Sequence, residues 1–145
     1  MKKLLYLLLG ILGFTACGEG GAGGGMMCEY GTPTADFTVK GKVTDADGKP
    51  IKGIEISSKD LSSFIDGSGL SAVTAEDGTF VTNKIKEFGV GGTLVFTDTD
   101  GDANGGEFVT LEKQISTLPQ KQIKDRDGLY RGEYEVTADV KLKKR

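Results

Sequence analysis

The best candidate metal ligands of this sequence lie in one acidic stretch, "DTDGDANGG". Carboxylate and amide oxygens occur there at alternate positions, which in the first half of a calcium loop directs several oxygens at one ion. The candidate calcium ligands are Asp98, Asp100, Asp102 and Asn104. The second half of the motif is missing, because Leu111 stands at the twelfth position, where a bidentate Glu is needed. Two interpretations stay open: a β-loop that holds calcium, and a polar turn whose side chains bond to the backbone.

The two cysteines are the next reactive positions, and the residues before the first one indicate its role. The chain begins with Lys2 and Lys3, continues with an apolar segment to about Phe14 and ends in small residues. This is the pattern of a secretory signal, and it is too short to be a membrane span. The ending "FTAC" is similar to the lipobox of bacterial lipoproteins. That resemblance implies cleavage after residues 1–16 and lipidation of Cys17, which would anchor the mature chain to a membrane.

Cys28 is then the only free thiol of the mature chain. The residues between the two cysteines are almost all glycine and cannot form a packed element, because glycine loses the most conformational entropy on ordering. We therefore expect a tether over residues 17–34. A lone thiol beside such a tether is open to oxidation or to enzymatic modification. The other interpretation is a small apolar residue that packs beneath the first strand.

The composition excludes most hydrolytic chemistry. The 145 residues include no histidine, which removes Ser-His-Asp and Cys-His catalysis and every zinc site that uses histidine. Asp125 and Asp127 invite a paired-carboxylate interpretation, as in glycoside hydrolysis, but neighbours in a turn usually both face solvent. We predict no catalytic activity.

The net charge bears on the kind of partner. Without the two lysines of the leader, the 18 basic residues fall to 16 against 21 acidic ones, a net charge of about −5. An acidic domain is not attracted to nucleic acid or to an anionic bilayer surface. We expect no nucleic-acid partner and a membrane contact only through the lipid anchor.

Alternating apolar residues predict the strands that would position these groups. Residues 36–44 alternate around Phe37 and Val39, and Ile54 and Ile56 supply the inward positions of a second strand. A hairpin is predicted from Val73 to Phe80 around an Asp-Gly turn. Further strands are predicted over 92–98, in a central position, over 107–115 and over 133–143.

Two stretches lack this alternation. A long loop is predicted over 57–69, where Leu61, Phe64 and Ile65 would cover one end of the core. Residues 116–128 predict a loop or at most one helical turn. About seven strands with turns roughly every ten residues indicate an all-β sandwich.

The stretches "GKVTDADGKPIKGIEIS" and "TAEDGTF" resemble the opening of the carboxypeptidase regulatory-like, or transthyretin-like, β-sandwich family. That family's pattern is a strand ending in Gly-x-Val-x-Asp, a Gly-x-Pro turn, an aliphatic strand and then Thr-x-x-Asp-Gly-x-Phe. The resemblance implies a transthyretin-like sandwich and a non-catalytic accessory module.

A second resemblance covers most of the chain. The lipobox, the segment "CEYGTP", the sandwich and the acidic stretch together are similar to lipoproteins associated with radical S-adenosylmethionine enzymes. This implies an exported, anchored domain with a radical-enzyme partner at the level of the gene neighbourhood, and residues 28–33 as a candidate modification segment. It does not imply an iron–sulfur cluster in this chain, since a cluster needs about four thiolates. Another envelope protein is the alternative partner.

These observations lead to one expected organisation. It consists of a lipoprotein signal peptide over residues 1–16, a lipidated cysteine and tether over 17–34, and a β-sandwich domain over 35–145. The expected role is a non-catalytic structural or interaction module of the bacterial envelope, placed at the outer membrane and facing the periplasm or the exterior. The alternatives are a substrate that a radical maturase modifies between Cys28 and Pro33, and an accessory binding domain that calcium stabilises. Calcium is the only cofactor that the sequence suggests.

Overall fold

The computed structural model describes residues 31–63, 65–89 and 91–145, which belong to one unit from Gly31 to Arg145. Cys17 and Cys28 lie outside the described residues. Ten β-strands make up the unit: β1 Thr34–Thr44, β2 Ile54–Lys59, β3 Ser71–Val73, β4 Thr79–Val81, β5 Ile85–Glu87, β6 Thr93–Asp98, β7 Leu111–Gln114, β8 Gln120–Lys124, β9 Tyr130–Thr137 and β10 Val140–Lys141. Two short 3-10 turns, Ala103–Gly105 and Ile115–Thr117, complete the elements. Within the described ranges, no helix is long and apolar enough to cross a membrane.

The strands form two sheets. In the first sheet β1 is central, with β4 and β5 antiparallel to it on one side and β9 parallel to it on the other. β8 pairs with β9 at the edge, and β10 continues alongside the end of β1. The second sheet has the order β3-β2-β6-β7 and is antiparallel throughout. The prediction of an all-β sandwich is confirmed, with ten strands where about seven were predicted.

The inward residues of both sheets form a single core. Phe37, Val39 and Val43 are buried on β1, as the alternation predicted, and Ile54 and Ile56 are buried on β2. From the remaining strands the core takes Phe80, Ile85, Leu94, Phe96, Val136 and Val140. The central position predicted for residues 92–98 is confirmed, because β6 lies between β2 and β7.

The predicted hairpin from Val73 to Phe80 is wrong. β3 pairs with β2 in the second sheet, while β4 pairs with β1 in the first, so the turn between them carries the chain from one sheet to the other. The crossing is fixed by the buried side chain of Thr74, whose hydroxyl accepts from the Ile54 N–H and donates to the Ile51 carbonyl. An Asp-Gly turn between two strands looks the same in the sequence whether or not those strands pair.

The two stretches predicted as loops contain strands. Residues 116–128 include β8, and its five residues are all exposed, so no alternation marks it. In the region 57–69, β2 continues to Lys59. Leu61 packs against the core as predicted, but the Ile65 side chain is 67% exposed and does not cover it. Phe64 lies outside the described residues.

The predicted strands over 107–115 and 133–143 are shorter than expected. Only Leu111–Gln114 is strand in the first, although Phe108 is buried and forms a bridge with Lys144. The second is interrupted between β9 and β10. At the interruption the Ala138 N–H donates to the Lys40 carbonyl, and the Asp139 carboxylate accepts the Lys42 N–H at 2.9 Å.

Gly41 lies opposite this interruption, where the two backbones approach closely. A Cβ atom at position 41 would be 2.1 Å from the Ala138 carbonyl oxygen. Hydrogen bonds hold the backbone near Gly41 and at Ala138, so moving either segment away would break those bonds. The central strand therefore needs a residue without a side chain at this position.

We predict that Gly41→Ala lowers the free energy of unfolding by about 1–3 kcal/mol, the usual cost of inserting atoms into a packed region. Gly91→Ala is the matched control, because a Cβ there meets no atom within 4 Å. Urea unfolding of both variants and the wild type measures the difference. Equal midpoints for the two variants would contradict the steric account.

Candidate functional site

The first sheet carries a cleft at the end where β1 begins. Gln122 of β8, Arg131 and Tyr134 of β9 and Arg126 of the loop between them line a cavity of about 330 Å³. A second hollow of about 250 Å³ adjoins it, since Arg131 and Tyr134 line both. The second hollow adds Ala35, Phe37, Phe88, Gly89 and Gln120. We call the two hollows together the end cleft.

An irregularity in β9 positions Arg131 in the end cleft. Thr34 pairs with Tyr130 but Asp36 pairs with Glu133, so β9 has two residues, Arg131 and Gly132, where β1 has one. A bulge of this kind re-aims the side chains around it. Tyr130 and Glu133 consequently both lie beside Asp36 on the outer face of the sheet, although they are three residues apart.

Gly132 makes this bulge possible. Its φ is +104°, a conformation that residues with a side chain rarely adopt. A Cβ at this position would also be 2.2 Å from the Lys124 carbonyl oxygen on β8. No residue other than glycine fits at position 132 without strain, so Gly132 determines the backbone conformation beside Arg131.

The Gln122 side chain joins β8 to β9 at the floor of the end cleft. Its Nε2 donates to the carbonyls of Lys124 and Arg131, at 3.1 and 3.3 Å. The loop beyond is closed by two backbone hydrogen bonds between Asp127 and Tyr130. Both N–H hydrogens of the Gln122 side chain therefore bond to backbone carbonyls. The side-chain oxygen of Gln122 is the group that can accept from a ligand.

The aromatic side of the end cleft is formed by Tyr134. Its ring stacks on Phe37, with the centroids 5.6 Å apart and the planes at 23°. Phe37 belongs to the core, so the tyrosine ring is supported from below by packed side chains. The Tyr134 hydroxyl donates to the Arg131 carbonyl at 3.4 Å, a long and weak hydrogen bond.

The charges of the end cleft are unbalanced. On the outer face of the same sheet, two of the lysines have close acidic partners: Lys40 lies 2.7 Å from Glu135, and Lys84 lies 2.5 Å from Glu133. Among the described residues, neither Arg126 nor Arg131 has an ion-pair partner. The described lining of the end cleft therefore contributes two guanidinium charges and no carboxylate, although Asp125 and Asp127 flank Arg126 in the loop.

Tyr130 fastens the outer face behind the end cleft. Its hydroxyl donates to Asp36 at 2.9 Å, and the ammonium groups of Lys86 and Lys124 lie 5.4 and 5.7 Å from its ring centroid. Burial raises the pKa of Tyr130 to about 12, helped by the hydrogen bond to Asp36 and by the negative charges of Asp36 and Glu133. The phenol therefore remains a neutral donor that holds the start of β1 to the start of β9.

The acidic stretch forms a turn that its own side chains bond together. The Asp98 carboxylate accepts the N–H of Asp100 at 3.1 Å and the N–H of Phe108 at 2.9 Å. Asp100 accepts from the Asn104 amide, and Asp102 precedes the 3-10 turn without a side-chain capping bond. The part of the chain that the structure describes contains no group of three or more His, Cys, Asp or Glu side chains that could hold a metal. The arrangement is that of the polar turn, and calcium binding stays a prediction.

Asp125 and Asp127 lie at the loop between β8 and β9, where both are exposed. Asp127 uses its backbone to close the loop. The two do not line the end cleft, although the loop they share supplies Arg126 to it. The end cleft is therefore not lined by the Asp125 and Asp127 carboxylates, as a glycoside-hydrolysing pair would require.

The comparisons with known proteins concern the fold alone. No family model matches the chain, and no curated protein matches its sequence. Among solved structures, it is similar to the dioxygenase domain of a dioxygenase and carbohydrate-binding protein fusion from the cellulolytic bacterium Streptomyces sp. SirexAA-E. The TM-score is 0.45 and the identity 18%, over 80% of this chain and 84% of that one.

A second similar structure is (S)-allantoin synthase, with a TM-score of 0.37 and 19% identity over 76% of this chain. The chain spans 42% of the length of that protein. At these values the likeness is one of β-fold, and the properties of neither protein carry over to this one.

Sequence reasoning missed the side chains that line the end cleft, Gln122, Arg126 and Arg131. They fall in or beside the stretch predicted as a loop, where no alternation assigns them to a face. One signal was present: Gly132 follows Arg131 directly at the start of a predicted strand, and a glycine there often marks a bulge. The other sequence feature that indicated the cleft is the pair Arg126 and Arg131 on either side of the Asp127-Gly128 turn.

We predict that Asp98→Ala lowers the free energy of unfolding by about 1–3 kcal/mol, because it leaves two backbone N–H groups without their acceptor. Asp102→Ala is the control and should change it by less than about 0.5 kcal/mol, as expected for an exposed position. Thermal unfolding of wild type and variants, with and without millimolar calcium, separates the two interpretations of the turn. The polar turn gives the same loss in both buffers, whereas a calcium site raises the melting temperature of the wild type with calcium.

Proposed function

We propose that this protein is a lipid-anchored, non-catalytic binding module of the bacterial envelope, which receives its ligand in the end cleft. The observation that carries the proposal is the cleft itself, a concave site with convergent polar groups above an aromatic support. Concave sites with a few fixed polar groups over an apolar floor are where proteins bind small ligands and the ends of larger ones.

The chemistry of the lining favours binding over catalysis. Guanidinium and amide groups orient a ligand through directed hydrogen bonds but do not exchange protons near neutral pH. Arg126, Arg131 and Gln122 are of this kind. General acid–base catalysis instead uses side chains such as His, Asp, Glu or Lys, and among the described residues none of these lines the main hollow of the end cleft.

The position of the end cleft agrees with a tethered module. The Thr34 N–H donates to the Leu129 carbonyl at 3.1 Å, so β1 starts beside the loop that bounds the cleft. If Cys17 carries the lipid, the 17 residues from there to Thr34 can separate the anchor from β1 by at most about 60 Å. The cleft would then work within a short distance of the membrane that holds the anchor, on material that lies at that surface.

We predict that the mature protein, purified from the membrane fraction of a bacterial host, has the mass of residues 17–145 plus acyl groups. Export and acylation of Cys17 account for that mass, with Cys28 as an unmodified thiol. Intact-mass spectrometry with thiol alkylation measures both. A Cys17→Ser variant in the soluble periplasmic fraction is the expected counterpart. An added mass that maps to residues 28–33 would instead support the maturase-substrate hypothesis, and an unacylated Cys17 would overturn the anchor.

We also predict that the full chain binds members of a glycan and peptide array through the end cleft. Arg131→Gln should reduce the signal at least tenfold, because it removes a charged donor from the cavity. Lys113→Gln, which makes the same charge change at an exposed position of β7 on the other sheet, should leave it unchanged. Absence of any wild-type signal, or equal loss in both variants, would overturn binding at the cleft.

A further inference from the structure

We propose that the ligand of the end cleft is an acidic sugar, a uronate ring at the end of an oligosaccharide. This inference rests on the proposed function and specifies its ligand class. The charge, size and hydrogen-bonding groups of the cleft each contribute one part of the argument.

The charge of the end cleft calls for an anion. The chain as a whole is acidic, with a net charge of −3, so its general field repels anions. Arg126 and Arg131 add two positive charges at the cleft, and in the described part of the chain neither forms an ion pair, although Asp125 and Asp127 flank Arg126 in the loop. A guanidinium group matches the two oxygens of a carboxylate in a bidentate arrangement, which adds geometric selection to attraction. A carboxylate has both the negative charge and the two oxygens that bidentate pairing with a guanidinium needs.

The size of the end cleft limits the body that bears this carboxylate. The main hollow, at about 330 Å³, is at the lower end of the range for small-molecule sites, and the adjoining hollow is about 250 Å³. Two connected compartments of this size suit two linked six-membered rings better than one large planar ligand. The ring with the carboxylate occupies the compartment between Arg126 and Arg131, and the next ring extends toward Phe88 and Gly89.

The remaining groups suit the hydroxyls and C–H faces of a sugar. The Gln122 carbonyl oxygen can accept from a hydroxyl, and Gln120 adds a second amide in the adjoining hollow. Tyr134 supplies aromatic surface for the apolar face of a ring. A binding site for hydroxylated rings combines hydrogen bonds to the hydroxyls with aromatic packing on the C–H face.

An acidic peptide is the less favoured ligand. An extended peptide binds best by adding a strand to a sheet edge, through a regular row of backbone groups. The nearest edge is β8, where the register shifts between Gln122 and Lys124 and two lysines flank the shift. Bulges and lysines on an edge strand oppose strand addition. The cleft therefore offers a peptide side-chain contacts alone.

The bulge at Gly132 gives the site its pre-organisation. Arg131 has no register partner of its own, but Tyr130 and Glu133 pair with β1 on either side of the bulge. Its carbonyl also accepts from the Gln122 amide and the Tyr134 hydroxyl. Less conformational entropy is then lost when its guanidinium meets a carboxylate. Arg126 on the adjoining loop supplies the adjustable partner.

Isothermal titration of the full acylated chain in non-ionic detergent tests the proposal, with digalacturonate as the ligand and digalactose as its neutral counterpart of the same size. We expect digalacturonate to bind at least tenfold more tightly than digalactose, with an affinity that falls as salt is raised. Arg126→Gln and Arg131→Gln should each weaken binding of digalacturonate about tenfold, and Lys113→Gln should not. Unchanged melting temperatures show that both cleft variants are folded.

Further arms separate the outcomes. Equal affinity for digalactose and digalacturonate, or no effect of the two arginine substitutions, would overturn the assignment to an acidic sugar. Tighter binding of triglutamate or of acetate alone would assign the site to carboxylates in general and overturn the sugar class. If the array finds a different ligand that depends on Arg131, the proposed function stands and this inference falls. If no ligand of any class depends on the cleft, both fall together.

Discussion

The pairing of β1 along both of its edges is the constraint on which the rest of the structure depends. One edge bonds to β4 and β5, which come next in the first sheet along the chain, and the other bonds to β9 and β10 near the C-terminus. The alternate residues of β1 supply Phe37, Val39 and Val43 to the core. Two irregularities of the first sheet lie beside β1. One is the interruption opposite Gly41, and the other is the bulge beside Ala35 that places Arg131.

The end cleft follows from the second of these irregularities. Regular pairing would alternate Tyr130 through Glu133 between the two faces of the sheet. The extra residue in β9 lets Tyr130 and Glu133 stay on the outer face, in a network with Asp36 and its neighbouring lysines. The charges of the outer face are thereby matched within the sheet, while the guanidinium of Arg131 is directed elsewhere. Arg131 lines the end cleft, where its guanidinium can meet a ligand.

The sequence was sufficient to predict elements whose side chains alternate between a buried and an exposed face. β1, β2 and β6 belong to this group, as do the inward residues of β9 and β10. It was not sufficient for β8, because all five of its residues are exposed and their side chains show no alternation. The crossing at Thr74 was missed for a similar reason, since pairing between distant strands decides whether an Asp-Gly turn closes a hairpin. Arg126 and Arg131 could not be assigned to one cavity because that depends on a bulge, which a single glycine only hints at.

The parallel pairing of the first and last strands has a consequence for how the chain acquires its structure. Thr34 and Tyr130 are register partners although almost the entire domain separates them in the sequence. Closing so long a loop costs entropy before any contact compensates it, so folding is expected to be slow and to wait for the last residues. The pairing of β1 with β9 cannot form until β9 has been synthesised, so one edge of β1 stays unpaired until then.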